Sequence, residues 1–184
     1  ILEFIAEHHG SMPILFFLGD AQTGAWSQFR GPGSAATAVG NKVLPTEIGP
    51  KQYVLWKSAL PAGHSSPVVH GDRIFLTGVH QQKLFTFGLD RASGKEIWRT
   101  EAPHKGLEKV HKVGNPAQAT VATDGKHVVA FFGSAGLFCY DRDGRELWKI
   151  PMGPFTTEFG AASSPLIVEG RVILNQDYDN GSNL

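Results

Sequence analysis

One segment of this chain is written twice. Ser65-Ser66-Pro67-Val68-Val69-His70-Gly71-Asp72-Arg73-Ile74-Phe75-Leu76 returns as Ser163-Ser164-Pro165-Leu166-Ile167-Val168-Glu169-Gly170-Arg171-Val172-Ile173-Leu174. A looser copy, Gln118-Ala119-Thr120-Val121-Ala122-Thr123-Asp124-Gly125-Lys126-His127-Val128-Val129, stands between them. Each of the first two periods then closes on a second element, Leu89-Asp90-Arg91-Ala92-Ser93-Gly94-Lys95-Glu96-Ile97-Trp98 and Tyr140-Asp141-Arg142-Asp143-Gly144-Arg145-Glu146-Leu147-Trp148. With the earlier Leu55-Trp56-Lys57, the tryptophans recur at about 40 to 50 residues, the period of a propeller blade. A unit that short cannot bury its apolar face alone, so it must stack on copies of itself.

Within a period the strand pattern is plain. Residues 67–69 make a short strand, 70–72 a tight turn and 73–77 a second strand. Residues 83–89 carry Leu84, Phe85, Phe87 and Leu89 as a third, and 96–100 form a fourth with Ile97 and Trp98 as packing residues. The intervening turn at 90–95 needs a positive φ near Gly94. Four short strands joined by Gly/Asp turns are one antiparallel blade. The 22 Gly and 11 Pro, with 18% charged residues, suit a turn-dense chain, and no segment has helical periodicity. The expected fold is all-β: a β-propeller of four-stranded antiparallel blades. Whole periods run over 63–103 and 114–153, with partial ones at 26–60 and 160–184. A propeller needs about four to eight blades, so the chain is expected to be an incomplete arc lacking at least its C-terminal part. Exposed strand edges would make such an arc prone to associate.

Lys+Arg and Asp+Glu number 17 each, so the formal net charge is zero and nothing favours nucleic acid as a partner. No apolar stretch approaches the ~20 residues that span a bilayer. Residues 1–25 read as a leader. The run Pro13-Ile14-Leu15-Phe16-Phe17-Leu18 followed by small residues fits either a signal-peptide remnant or a disordered leader, since it is short for an h-region and no Lys or Arg precedes it. The single cysteine, Cys139, lies in a strand-like run and reads as a small buried hydrophobe.

Candidate chemistry is sparse. Asp177, Asp179 and Gly181 are spaced like the start of a calcium loop, but a polar hairpin turn of the third blade explains them better. The connection 104–115 carries His104, Glu108, His111 and Asn115, residue types able to move protons or hold a metal, but a solvated loop with ordinary polar residues explains them better. His64 before Ser65-Ser66 has no nucleophile elbow around it, and the repetition of Ser-Ser-Pro points to a structural role. Phe29-Arg30-Gly31-Pro32-Gly33 reads as a turn, because no Lys-Ser/Thr follows as in a phosphate loop. No residue qualifies as catalytic or as a metal ligand.

The turn-plus-tryptophan elements resemble the repeat signature of the pyrroloquinoline-quinone (PQQ) repeat, or quinoprotein dehydrogenase-like, propellers. The opening Trp26-Ser27-Gln28-Phe29-Arg30-Gly31-Pro32-Gly33, with Gly63-His64-Ser65-Ser66-Pro67 and Phe132-Gly133-Ser134-Ala135-Gly136-Leu137-Phe138-Cys139-Tyr140-Asp141, resembles the N-terminal part of secreted bacterial members of that family. The resemblance spans residues 26–184. It implies that the turn glycine lets the chain double back while the indole packs across a neighbouring blade. It also implies a periplasmic or secreted location. The family holds both PQQ- and calcium-dependent alcohol or sugar dehydrogenases and non-catalytic scaffolds, so fold does not decide function. No residue here carries over as a PQQ or calcium ligand, and Cys139 lacks the adjacent cysteine of the vicinal disulfide found in many of the enzymes. The expectation is a non-catalytic extracytoplasmic binding or scaffold module. The alternative is a PQQ-dependent alcohol or sugar dehydrogenase with its active-site residues mostly elsewhere. A third reading is a sugar- or peptide-binding propeller attached to an enzyme.

Overall fold

The computed structural model describes residues 2–3, 11–16, 25–37, 54–178 and 181–183, with 2–3, 11–16, 178 and 181–183 described by backbone alone. Its strands in chain order are β1 (Leu2–Glu3), β2 (Ser11–Phe16), β3 (Lys57–Pro61), β4 (Val68–His70), β5 (Arg73–His80), β6 (Lys83–Asp90), β7 (Glu96–Ala102) and β8 (Ala122–Thr123). They continue with β9 (His127–Phe131), β10 (Leu137–Asp141), β11 (Glu146–Ile150), β12 (Leu166–Val168), β13 (Arg171–Ile173), β14 (Gln176–Tyr178) and β15 (Gly181–Asn183). Two four-stranded antiparallel meanders dominate: β4-β5-β6-β7 and β8-β9-β10-β11. Two 3-10 turns, Pro32–Ser34 and Gly133–Ala135, are the helical elements of the described residues.

The repeat is reproduced at the level of register. Val68↔Phe75, Val69↔Ile74 and His70↔Arg73 in the first blade match Leu166↔Ile173, Ile167↔Val172 and Val168↔Arg171 in the third. A register shift between Gly88 and Leu89 in the first blade has its counterpart between Cys139 and Tyr140 in the second. Hairpin β14–β15 closes on Tyr178↔Gly181, so the polar run after Asp177 is a hairpin of the third blade, as the repeat requires.

Why the strands are apolar on both faces follows from their two-residue period. In β9 and β10, Val128, Ala130, Phe138 and Tyr140 turn toward the first blade, whereas Val129, Phe131, Leu137 and Cys139 turn toward the third. In β5, Phe75 faces the second blade while Ile74 and Leu76 face β3. The central strands of the first two blades are thus buried between neighbours, and the three core clusters are the interfaces between consecutive sheets.

Those interfaces share one lock. The indole Nε1 of Trp98 donates to the carbonyl of Arg142 at 2.9 Å, and Thr100 Oγ1 donates to the carbonyl of Gly144 at 2.6 Å. One blade earlier, Trp56 Nε1 donates to the carbonyl of Arg91 at 3.0 Å and Ser58 to that of Gly94. Gly94 and Gly144 have φ of 69° and 86°, and a methyl group on either would come within 2.2 Å of Trp56 or 2.4 Å of Trp98. Both properties demand glycine. Phe75 and Tyr140 flank Trp98 with ring centroids at 6.0 and 6.2 Å, and such contacts add about 0.5–1.5 kcal/mol each beyond their buried area.

Two stretches near the N-terminus take places that the repeat alone does not dictate. Residues 11–16, within the segment read as a leader, pair antiparallel with β3 from Ser11↔Pro61 to Leu15↔Lys57. Residues 25–28 lie on the free edge of β4: Trp26 exchanges both backbone hydrogen bonds with Val69 at 2.8 Å, and the Thr123 N–H donates to the Ser27 carbonyl at 2.9 Å. This strap ties the first blade to the second, and its indole packs into the core beside β5 and β6. Residues 38–53, in the partial blade expected from sequence, lie outside the described residues.

Candidate functional site

A meander puts its first and third turns at one end and its middle turn, with the connection to the next blade, at the other. The connections of residues 104–115 and 151–161 therefore meet the 3-10 turn Gly133–Ala135 at one end of the arc, the loop end. Here the structure gathers three of the four residues singled out in the first connection.

Glu108 is the centre of this cluster. Its Oε1 accepts the backbone N–H of Ser134 at 2.5 Å and the Ser134 hydroxyl, and its Oε2 accepts Thr157 Oγ1 at 3.5 Å. Ser134 Oγ in turn accepts the Phe155 N–H at 2.8 Å. Glu108 thus satisfies the Ser134 N–H of the 3-10 turn and joins two interblade connections. His111 donates its N–H to the Glu158 carbonyl at 2.8 Å, and its ring lies 5.3 Å from that of Phe159. Asn115 Oδ1 accepts the Ala117 N–H at 2.8 Å, and Gln118 Nε2 donates to the Phe159 carbonyl at 2.9 Å. The fourth residue, His104, stands apart: its Nε2 bonds the Gln82 carbonyl at 2.8 Å. Beside Glu108 is a small cleft lined by Leu84, Leu107, Pro116 and Phe132. The connection read as a solvated loop is exposed over much of its length and is anchored at His104, Glu108, His111 and Asn115.

The Ser-Ser-Pro segments do structural work. Ser65 Oγ accepts the Thr77 N–H at 3.0 Å and donates to the Thr77 carbonyl at 3.3 Å. The Ser66 N–H donates to Thr120 Oγ1 at 3.0 Å, and the Thr120 N–H donates to Ser164 Oγ at 3.0 Å. In each pair a backbone N–H of one blade is received by a hydroxyl of the next, in the segments that lead into β4, β8 and β12. His64 is exposed and uses its backbone N–H on the Ala117 carbonyl at 2.9 Å.

The opposite end, the turn end, is rich in charge that is internally balanced. Burial works against ionisation of Asp124, but hydrogen bonds from the His127 ring and from the backbone N–H groups of His127 and Lys126 outweigh it and hold the carboxyl at about 2. Asp90 is lowered chiefly by the Ser93 hydroxyl, and Asp141 chiefly by the Arg145 N–H. Arg142 pairs with Asp72 of the preceding blade. Burial raises the Cys139 thiol to about 11, so this cysteine is an inert core residue. Burial also pushes the Tyr140 phenol well up, and the Thr86 hydroxyl across the blade interface opposes that rise. Among the described residues neither hydroxyl has a partner at hydrogen-bonding geometry.

Asp177 accepts the Asn175 side-chain amide at 2.9 Å, while Asp179 lies outside the described residues. Among the described residues no three His, Cys, Asp or Glu side chains converge as a metal site would require, and no helix is long and apolar enough to cross a membrane.

A family model described as outer membrane protein assembly factor BamB matches residues 87–182, a little over half of the chain. The chain belongs to this PQQ-repeat family. The match takes in the second blade whole, with the Trp98–Gly144 lock on its border. Among curated PQQ-repeat proteins, the outer membrane protein assembly factor BamB of Burkholderia pseudomallei (strain K96243) is 28% identical over 109 residues, 59% of this chain and 24% of that protein. The alignment thus covers only a minor part of its relative. Two solved structures are also similar. A europium-containing methanol dehydrogenase is 18% identical over 61% of this chain and 20% of its own, with a TM-score of 0.46. BamB from Moraxella catarrhalis is 16% identical over 66% and 33%, also with a TM-score of 0.46.

Sequence reasoning found Glu108, His111 and Asn115 but missed their partners. Ser134, Thr157 and the Thr120–Ser164 relay are ordinary hydroxyls in sequence, and their roles arise from the stacking of blades.

Proposed function

We propose that this PQQ-repeat chain is part of a non-catalytic propeller that acts as a binding or scaffold module outside the cytoplasm. The observation that carries this reading is the state of Glu108. A carboxylate available for proton transfer or cation binding keeps oxygen lone pairs facing the ligand. Glu108 spends both oxygens on Ser134 and Thr157, holding two connections together. The hydroxyls of Thr120 and Ser164, in the segments that lead into β8 and β12, are likewise committed to joining blades. Family membership supports the extracytoplasmic location, and the neutral net charge gives no reason to expect nucleic acid.

The test is calorimetric titration of the full-length protein with PQQ and calcium, with dye-linked oxidation of alcohols and glucose measured alongside. Silence in both supports the scaffold. Calcium-dependent quinone binding with turnover would establish a quinoprotein dehydrogenase instead, with its active site on other blades.

A further inference from the structure

The anchored connection of residues 104–115 sorts its charges. Its one carboxylate, Glu108, is turned inward onto Ser134, while Lys105, Lys109 and Lys112 are exposed. None of these lysines has an ion-pair partner among the described residues. Lys83, Arg99, Arg145 and Lys149 each face a carboxylate between 2.7 and 3.1 Å away, whereas Lys95, Lys126 and Arg171, like the three lysines here, have none among the described residues but stand singly. The same two connections carry two exposed large apolar side chains, Val113 at 61% exposure and Phe159, against the His111 ring, at 50%. The His111–Phe159 ring contact and the bond from His111 to Glu158 hold the second connection against the first. Glu158 is the one exposed carboxylate on that second connection.

We propose that this basic ridge of Lys105, Lys109 and Lys112, with Val113 and Phe159, is a docking surface for an acidic segment of a protein partner that also carries apolar side chains. The inference rests on the scaffold reading and names the class of partner. Charge complementarity supplies orientation and encounter rate, and the exposed apolar pair supplies area to bury. The frame beneath is already fixed by Glu108, so docking does not have to order a free loop. A protein segment is favoured over an anionic bilayer or a nucleic acid because these connections expose two large apolar side chains together with three cations, in a chain with no overall positive charge.

The experiment uses the full-length protein and a fluorescein-labelled peptide of repeated Asp-Glu-Phe, read by fluorescence polarisation at low and physiological salt. The variants are the triple K105E/K109E/K112E and, as a control with the same change in charge, K95E/K126E/R171E at exposed positions remote from the ridge. The ridge triple is expected to weaken binding by about tenfold or more and to flatten the salt dependence, with the control near wild type. Equal loss in both triples, no peptide binding by the wild type, or tighter binding to phosphatidylglycerol vesicles or labelled single-stranded DNA than to the peptide would overturn the docking surface. Titration of the same preparations with PQQ and calcium keeps the two readings apart, since quinone binding sinks the scaffold, whereas peptide failure with a silent titration sinks the ridge alone.

Discussion

Trp98 and Gly144 belong to different blades, and the indole of one covers the α-carbon of the other so closely that a methyl group there would sit 2.4 Å from Cδ2. Gly144 also has a φ of +86°. Gly144→Ala is therefore expected to cost about 3 kcal/mol, backbone strain adding to displacement of the indole. Gly71 is the internal control: its φ is +60° but nothing lies within 4 Å of the added carbon. Gly71→Ala should cost only about 1 kcal/mol. Urea unfolding of both variants checks this, and equal losses would refute the lock.

Asp124 gives a pH prediction with a definite sign. Its folded-state value, about 2, lies below the roughly 3.9 of an unfolded aspartate, so its ionised form stabilises the fold. The contribution is complete above about pH 5 and fades as pH falls from about 5 to 1. Because about a third of the Asp124 side chain is open to solvent, screening limits it to about 0.5–1 kcal/mol. The stability difference between wild type and Asp124→Asn should shrink through pH 2 and approach zero at about pH 1, below both values. A gap that persists there contradicts the assignment.

The strap predicts a local effect. In Trp26→Ala the Val69 and Thr123 amides, which donate to Trp26 and Ser27, should exchange with deuterium about tenfold faster or more. The Val129 amide in the neighbouring ladder should keep its rate. Uniform acceleration through both blades would show that Trp26 is simply core.

Glu108→Ala strips the Ser134 N–H of its acceptor in a part-buried site and should cost about 1–3 kcal/mol. Limited proteolysis should cut first within residues 104–115 and 151–161, because the carboxylate joins those connections. Cleavage beginning at the turn end would argue otherwise.

How much of this could be read from residues alone depended on whether a feature repeats. The four-stranded blades, the turn glycines and the indoles recur, so Gly94, Gly144, Trp56 and Trp98 announced themselves. The hairpin after Asp177 was legible for the same reason. What occurs once was hidden. Glu108 finds Ser134 at 26 residues' separation, and nothing in either local sequence signals the other. Residues 25–28 are held to β4 through backbone groups, which any sequence can supply, so residues 29–33 read only as a turn. The β2–β3 pairing was obscured because a short apolar run fits a leader as well as a strand.

The two locks are spaced differently along the chain. Trp56 reaches Arg91 across 35 residues, but Trp98 reaches Arg142 across 44. The surplus is taken up largely between β7 and β8, where residues 103–121 replace the shorter link of 62–67 between β3 and β4. Blade-to-blade geometry is therefore insulated from loop length. Insertions can accumulate at one rim of the wheel while the joints near the other keep their spacing, which lets such a chain change its surface over evolutionary time without renegotiating its architecture.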